Sequence, residues 1–385
     1  MGRSRPDRFA SSRPFVIVFM KSGRLVAVNS GTSVRRAQDA LLETARKGPM
    51  KSKANVSDVA RLAKVSAATV SRTFNTPDAV RDDVRTRVIE AAHALGYSAN
   101  PAAKALRMRR SHIIGAVIPT LNYDIFAQMI NAFQTRMTEA GYMVFLLTVG
   151  FDNRVVYGPV RQLVDRGAEG LLMVGRIEDP RLEAYLIDRR LPVVTTYSFQ
   201  ADSAIPSIGF DNYAASRQLI DYLIRLGHKH LVMLCGPSAG NDRQQARIKA
   251  FRDAAQAARQ QKTAHVIECV YTIADGGRGM RKVHAEYPQA TAVICNSDVL
   301  AFGALAECKR LGIRVPKDIS IAGFDDNDWA AVMDPPLTTV AVPALDMGVR
   351  SAEALLHAVG SDRSIESVRL ETNLVVRAST GPPKT

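Results

Sequence analysis

Residues 56–75 read Val56-Ser-Asp-Val-Ala-Arg-Leu-Ala-Lys-Val-Ser-Ala-Ala-Thr-Val-Ser-Arg-Thr-Phe-Asn75. Ser57 is placed to cap a helix that carries Val59, Leu62 and Ala63 on one side. Ser66 can cap a second helix, whose Val70 and Phe74 lie one turn apart and face inward. A third helix is expected from about Asp82 to Leu95, with Val84, Val88, Ala92 and Leu95 at helical spacing and Gly96 as its stop. Two short helices joined at Lys64-Val65 and braced by a third follow the helix-turn-helix plan. With Val70 and Phe74 inward, Ala68, Ser71, Arg72 and Asn75 point outward, and Ala67 stands at the start of the helix. Arg72 is suited to bidentate bonding with guanine O6 and N7, and Ala67 and Ala68 to contact with a thymine methyl. Ser57, Ser66, Thr69, Ser71 and Asn75 are suited to phosphate or base hydrogen bonds.

The charge is distributed in the same sense. Of 51 Lys and Arg and 37 Asp and Glu, residues 1–110 hold 22 basic and 8 acidic, and the rest of the chain holds 29 of each. The whole excess of +14 therefore lies in the first 110 residues. A basic head on a neutral body is the electrostatic footprint of nucleic-acid binding; a solvated basic tail is the bland alternative.

With 46% hydrophobic residues in 385, the chain has material for two or three domains. No stretch approaches the roughly 20 apolar residues needed to span a bilayer. Cys235, Cys269, Cys295 and Cys308 form no Cys-x-x-Cys pair, which fits reduced core thiols in a cytoplasmic protein. Phe15–Met20 and Leu25–Val28 are short apolar runs around Lys21-Ser-Gly-Arg24 and are compatible with a hairpin, but too short for a secretion signal. Residues 1–53 are expected to be an extension, of which residues 1–49 are either mobile or upstream of a native start at Met50; intact-mass measurement decides between the two.

From Ile113 onward short apolar runs alternate with amphipathic helices. The strand candidates are Ile113–Ile118, Met143–Val149, Gly170–Val174, Pro192–Thr196, Leu231–Cys235, Ala292–Cys295 and Ile319–Gly323. Phe126–Ala140 and Tyr213–Leu226 are helical between them. Such alternation predicts an α/β domain with parallel sheets and right-handed crossovers.

The stretch 56–75 resembles the DNA-binding signature of the lactose-repressor/galactose-repressor (LacI/GalR) family. The resemblance continues through Leu95-Gly-Tyr97, Asn100-Pro101, Gly209-Phe-Asp-Asn212, Leu226-Gly-His228, Arg247 with Phe251, Gly323-Phe-Asp325 and Pro336-Leu-Thr-Thr339. It implies a helix-turn-helix head at 54–99, a hinge helix within 100–110, and a core at 111–378 like periplasmic sugar-binding proteins, with a tail at 379–385. That core divides into two doubly wound α/β subdomains, about 111–212 with 343–369 and 213–342 with 370–378. In the hinge, Asn100, Ala103 and Leu106 are implied to contact DNA, Leu106 as the wedge between base steps. Asn122, Phe126, Tyr197, Arg247, Asp298 and Asp325 match effector-contacting positions, although Asp298 could instead cap a helix starting at Val299.

The implied function is that of a ligand-responsive transcriptional regulator, most often a repressor. Its partners would be double-stranded operator DNA, a second copy of the chain and a small-molecule effector. A sugar or sugar acid is favoured for the effector, with a purine or other non-sugar as the alternative. The ending Val376–Thr385 has no leucine heptads, so a dimer is expected rather than a tetramer. Three positions depart from the family pattern: Lys64 in the turn, Arg81 at the cap of the third helix, and Tyr197 where several sugar binders carry a carboxylate.

Catalytic readings find little support. Ala274-Asp-Gly-Gly-Arg-Gly279 follows no phosphate-loop spacing and is not expected to open a helix. The seven histidines show no metal-ligand spacing, and His228 reads as structural. No cofactor, metal or nucleophile–base set is expected. A solute-binding transport component is the rival of another class; it predicts a signal peptide and no helix-turn-helix.

Overall fold

The computed structural model describes residues 16–19, 25–28, 54–98, 110–360 and 364–384. The chain divides into two compact units, residues 1–101 and 102–385. In the first, β1 (Val16–Phe19) and β2 (Leu25–Val28) pair antiparallel. Then come α1 (Val56–Ala63), α2 (Ala67–Asn75), a 3-10 turn at Pro77–Ala79 and α3 (Asp82–Ala94).

The cap of α1 is Asn55, not Ser57. Asn55 Oδ1 accepts from the Ser57 and Asp58 amides at 2.8 and 3.1 Å, and Asp58 Oδ2 accepts from the Asn55 amide at 3.0 Å. This reciprocal box satisfies three otherwise orphaned donors, and Ser57 supplies none of its acceptors. Leu62 is also not inward but 52% exposed, because Ala60 takes the inner position beside Val59 and Ala63. Small residues there let α1 approach the other helices closely. Lys64 adopts the left-handed conformation (φ 55°, ψ 47°) at the turn. Ser66 caps α2 by accepting from the Thr69 amide at 3.1 Å. Val70 and Val88 are fully buried at the centre, and Phe74 packs half-buried against Tyr97 with ring centroids 5.8 Å apart.

Among the described residues the second unit holds two parallel sheets and a two-stranded antiparallel pair. The first lobe runs β3 (Ile113–Ile118), α4 (Asp124–Glu139), β4 (Met143–Thr148), α5 (Tyr157–Asp165), β5 (Gly170–Val174), α6 (Pro180–Asp188), β6 (Val193–Thr196) and β7 (Ser207–Gly209). The second runs α7 (Asn212–Arg225), β8 (Leu231–Cys235), α8 (Asp242–Ala257), β9 (Ala264–Glu268), α9 (Ile273–Glu286), β10 (Ala292–Cys295), α10 (Asp298–Leu311), β11 (Ser320–Ala322) and the short α11 (Trp329–Val332). After β12 (Thr339–Ala341) the chain returns through α12 (Ala344–Gly360) and β13 (Val368–Arg369), then leaves again in β14 (Asn373–Val375).

The six-stranded sheet has order β13-β7-β6-β5-β3-β4 and the four-stranded one β11-β10-β8-β9, and every pairing within them is parallel. This is the α/β architecture the alternation predicts. Every residue of β5 and β8 is buried, as parallel strands covered on both faces require. Helix α12 packs on α4, where Met129, Phe133, Met347 and Leu355 are fully buried. Each such side chain contributes about 1.5–3 kcal/mol on leaving water.

The glycine run corrects the sequence reading, because it lies in the first turns of α9, capped by Thr272. A Cβ at Gly276 would stand 2.2 Å from the Leu300 carbonyl oxygen, and one at Gly303 would stand 2.0 Å from that of Ile273. The glycines thus serve the close approach of α9 and α10.

Candidate DNA-reading face and effector cleft

On α2, Ala67, Ala68 and Arg72 are exposed, and Ser71 and Asn75 are half-buried. Three of the expected hydrogen-bonding residues are partly committed within the helix and its cap. Ser66 and Thr69 share a hydroxyl contact of 2.9 Å, and Asn75 Nδ2 donates back to the Ser71 carbonyl. The neighbouring arginines are held by acids: Arg61 by Asp58, Arg81 by Asp83 and Arg85 by Asp82. Arg72 has no such acid among the described residues, so its guanidinium stands ready on the outer face. Asn100, Ala103 and Leu106, with the rest of the expected hinge, lie outside the described residues.

The second unit carries a narrow cleft with about 40 Å³ of free interior, or about 440 Å³ when the open space at its mouth is counted. Its walls come from segments just beyond the carboxyl ends of strands in both sheets: Tyr123 and Phe126 after β3, Phe151 after β4, Tyr197 after β6, Arg243 and Arg247 after β8, Tyr271 after β9, and Asp325 after β11. This is where open parallel sheets bind ligands.

Four expected residues meet there: Phe126, Tyr197, Arg247 and Asp325. Asn122 does not; it is exposed on the loop before α4 and is not part of the lining. Asp298 stands behind the wall. It is buried, its Oδ1 accepts from the Thr339 hydroxyl at 2.7 Å, and its Oδ2 accepts from the Asn327 amide at 2.8 Å. The cap of α10 is Ser297, so Asp298 does not cap a helix starting at Val299 either.

Arg247 is buried and rigidly held. Its Nε donates to Asn212 Oδ1 and its Nη1 to the Asn296 carbonyl, both at 2.9 Å, and its guanidinium lies 3.6 Å over the Phe324 ring. Burial lowers its pKa, although an arginine with these partners stays cationic. Burial raises the Asp325 carboxyl to about 8, an effect that nearby Asp298 reinforces and Arg247 opposes. Burial likewise raises Asp298 to about 6, with the bond from Thr339 pulling the other way.

Tyr197 takes a left-handed backbone (φ 63°) and donates its hydroxyl to the Ile125 carbonyl; burial pushes its pKa well above the usual range. Its ring meets Phe126 at 5.1 Å, and Phe151 meets Tyr271 at 5.0 Å. The cleft therefore offers aromatic walls, two guanidinium groups and one carboxyl. Sequence reasoning missed Tyr123, Phe151, Arg243 and Tyr271. Arg243 carried a usable signal, because it precedes Arg247 by one helical turn and so shares its face. His228 is structural, with Nδ1 2.9 Å from the Thr291 hydroxyl and Nε2 2.9 Å from the Gly381 carbonyl. Among the described residues no group of acidic, His and Cys side chains could hold a metal ion, and no helix is long and apolar enough to cross a membrane.

Residues 55–100 match the sequence family described as bacterial regulatory proteins, lacI family, and residues 220–380 match the periplasmic binding protein-like domain. The HTH-type transcriptional repressor CytR of Escherichia coli (strain K12) is 31% identical over 335 residues, covering 85% of this chain and 96% of that protein. The ribose operon repressor of Haemophilus influenzae is 27% identical over 333 residues, covering 85% and 98%. Among solved structures, the lac repressor dimer bound to operator and the anti-inducer ONPF superposes with a TM-score of 0.75 at 25% identity, covering 86% of this chain and all of that one. The outward face of α2, the two-sheet core and these relatives agree: the chain belongs to the LacI family of bacterial regulatory proteins.

Proposed function

We propose that this protein is a sequence-specific, ligand-responsive repressor that binds a pseudo-palindromic operator as a homodimer in the cytoplasm, at the nucleoid when on DNA, and is not an enzyme. The observation that carries the reading is the presence in one chain of an exposed Arg72, paired with no acid among the described residues, on a helix-turn-helix face and a cleft at the strand ends of two parallel sheets. The head spans 54–99 and reads DNA with Ser57, Ser66, Ala67, Ala68, Thr69, Ser71, Arg72 and Asn75. Residues 100–110 form the hinge, with Asn100 and Ala103 on DNA and Leu106 as the minor-groove wedge. The core at 111–378 holds the effector with Phe126, Tyr197, Arg247 and Asp325. Asn122 and Asp298 are left as outer supports of that site. The operator-bound dimer and the ribose operon repressor among the relatives favour operator DNA and a carbohydrate-type effector.

Effector binding shifts the angle between the lobes, and DNA and effector bias that equilibrium reciprocally. Selection of binding sites from random duplex DNA, followed by titration with and without candidate sugars, tests the reading. A two-fold-symmetric site whose affinity falls steeply with salt is the expected result. Failure to enrich any sequence would refute it.

A further inference from the structure

Arg243 sits on the first turn of α8 and is only 4% exposed. Its Nη1 donates to Asp242 Oδ1 at 3.0 Å, while its Nη2 is buried with no acceptor among the described residues. The fold makes space for this arrangement. Gly175, after β5, has φ +82°, and a Cβ there would stand 1.6 Å from Arg243 Nη1. Any side chain at 175 would displace the guanidinium. A buried charged donor left unpaired is costly, and such groups mark a place where a ligand completes the bonding.

Charge accounting points the same way. The cleft holds Arg243 and Arg247 against Asp242 and Asp325. Asp242 is already engaged by Arg243 Nη1 and by the Ser198 hydroxyl. Asp325 accepts from the Ser297 hydroxyl and favours its neutral form. Arg247 spends Nε on Asn212 and Nη1 on Asn296 and keeps Nη2, so both guanidinium groups have a donor to offer, and Arg243 Nη2 is the one buried without an acceptor among the described residues.

We infer that the effector is an organic anion, with a carboxylate or phosphoryl oxygen taken by Arg243 Nη2 and its body packed among Tyr123, Phe126, Phe151 and Tyr271. This rests on the reading of the cleft as the effector site and narrows it to acids. Neutral sugars fit the aromatic walls equally well but leave Arg243 as it stands.

The test compares matched acid and neutral pairs on the full chain by calorimetry and thermal shift: glucuronate with glucose, glucose 6-phosphate with glucose, and benzoate with benzyl alcohol. At least one acid is expected to bind roughly tenfold or more tightly than its neutral partner. The carboxylate and phosphate arms show which anion fits. Arg243→Gln should erase that preference, the acid losing roughly tenfold or more relative to its neutral partner. Arg243→Lys keeps the charge and should retain part of the preference, which covers the case in which Arg243→Gln fails to fold. Equal binding of acid and neutral partner, or an acid affinity unchanged in Arg243→Gln, would overturn the inference. A neutral sugar that alone binds and shifts operator affinity would overturn it while leaving the repressor reading intact. If no compound in the set bound, the inference and the effector half of that reading would both fall.

Discussion

Asn327 Nδ2, beyond β11 in one lobe, donates to Asp124 Oδ2 at the start of α4 in the other, across 3.1 Å. Beside it the Tyr123 hydroxyl donates to the Tyr271 carbonyl, and the Asn153 amide donates to the Gly240 carbonyl at 2.9 Å. The lobes are thus joined across the mouth of the cleft in a closed arrangement. Asn327→Ala should shift the balance toward opening by about 0.5–1.5 kcal/mol. Hydrogen exchange of amides 123–126 should speed up accordingly, and unchanged exchange would mean that the bond does not hold the lobes.

The cap of α1 gives a test of assignment. Asn55→Ala should cost the head about 1 kcal/mol, whereas Ser57→Ala should cost almost nothing. Exchange protection of the α1 and α3 amides in the full chain measures both. Equal losses would mean that the box between Asn55 and Asp58 is not the operative cap.

On the outer face of α2, Arg72→Ala should remove about 1–3 kcal/mol of discrimination between operator and scrambled DNA. Ala68→Gly should change it modestly. Fluorescence anisotropy at fixed salt measures both, and similar losses for the two variants would show that the reading face lies elsewhere.

Asp325 carries a pH signature. Its folded pKa of about 8 lies above the free-aspartate value of about 3.9, so the folded state holds a proton that the unfolded state releases between these limits. Its stabilising contribution is complete below pH about 4 and is lost as pH rises toward 8. The groups facing it are Arg247, Asp298, Ser297, Tyr197 and Tyr271. His228 pulls in the opposite sense, because burial lowers its pKa. The comparison with Asp325→Asn isolates the carboxyl: between pH 5 and 8 the melting temperature of the parent should fall relative to the variant. Parallel curves would rule out a raised Asp325.

Most of the strands that the sequence made legible are buried on both faces, and the partly exposed edge strand β4 was legible by its apolar run alone. β3, β5, β8 and β10 are unbroken apolar runs and occupy the predicted residues. β7, β12 and β14 span three residues each and include Ser207, Thr339 and Asn373, so no apolar run marks them. β9 alternates too weakly to stand out. Glycine's poor helix propensity argued against α9, and its packing against α10 overrode that propensity. Asn55 and Ser57 are both good caps by residue type, and only Asp58 three residues after Asn55 favours the former. In the cleft, Arg247 and Asp325 could be placed by motif, but Phe151 and Tyr271 lie on loops whose residues follow no period.

The chain passes between the lobes three times: between β7 and α7, between β12 and α12, and between β13 and β14. Two of these passages are clamped side by side where Val340 pairs with Leu374 in the β12–β14 ladder. A lobe hung on one strand could swivel in any direction. Three adjacent tethers, two of them cross-linked, resist twist and sliding and leave a single soft axis of bending. A molecule bound in the cleft would therefore meet a hinge that yields to bending more readily than to twist or sliding.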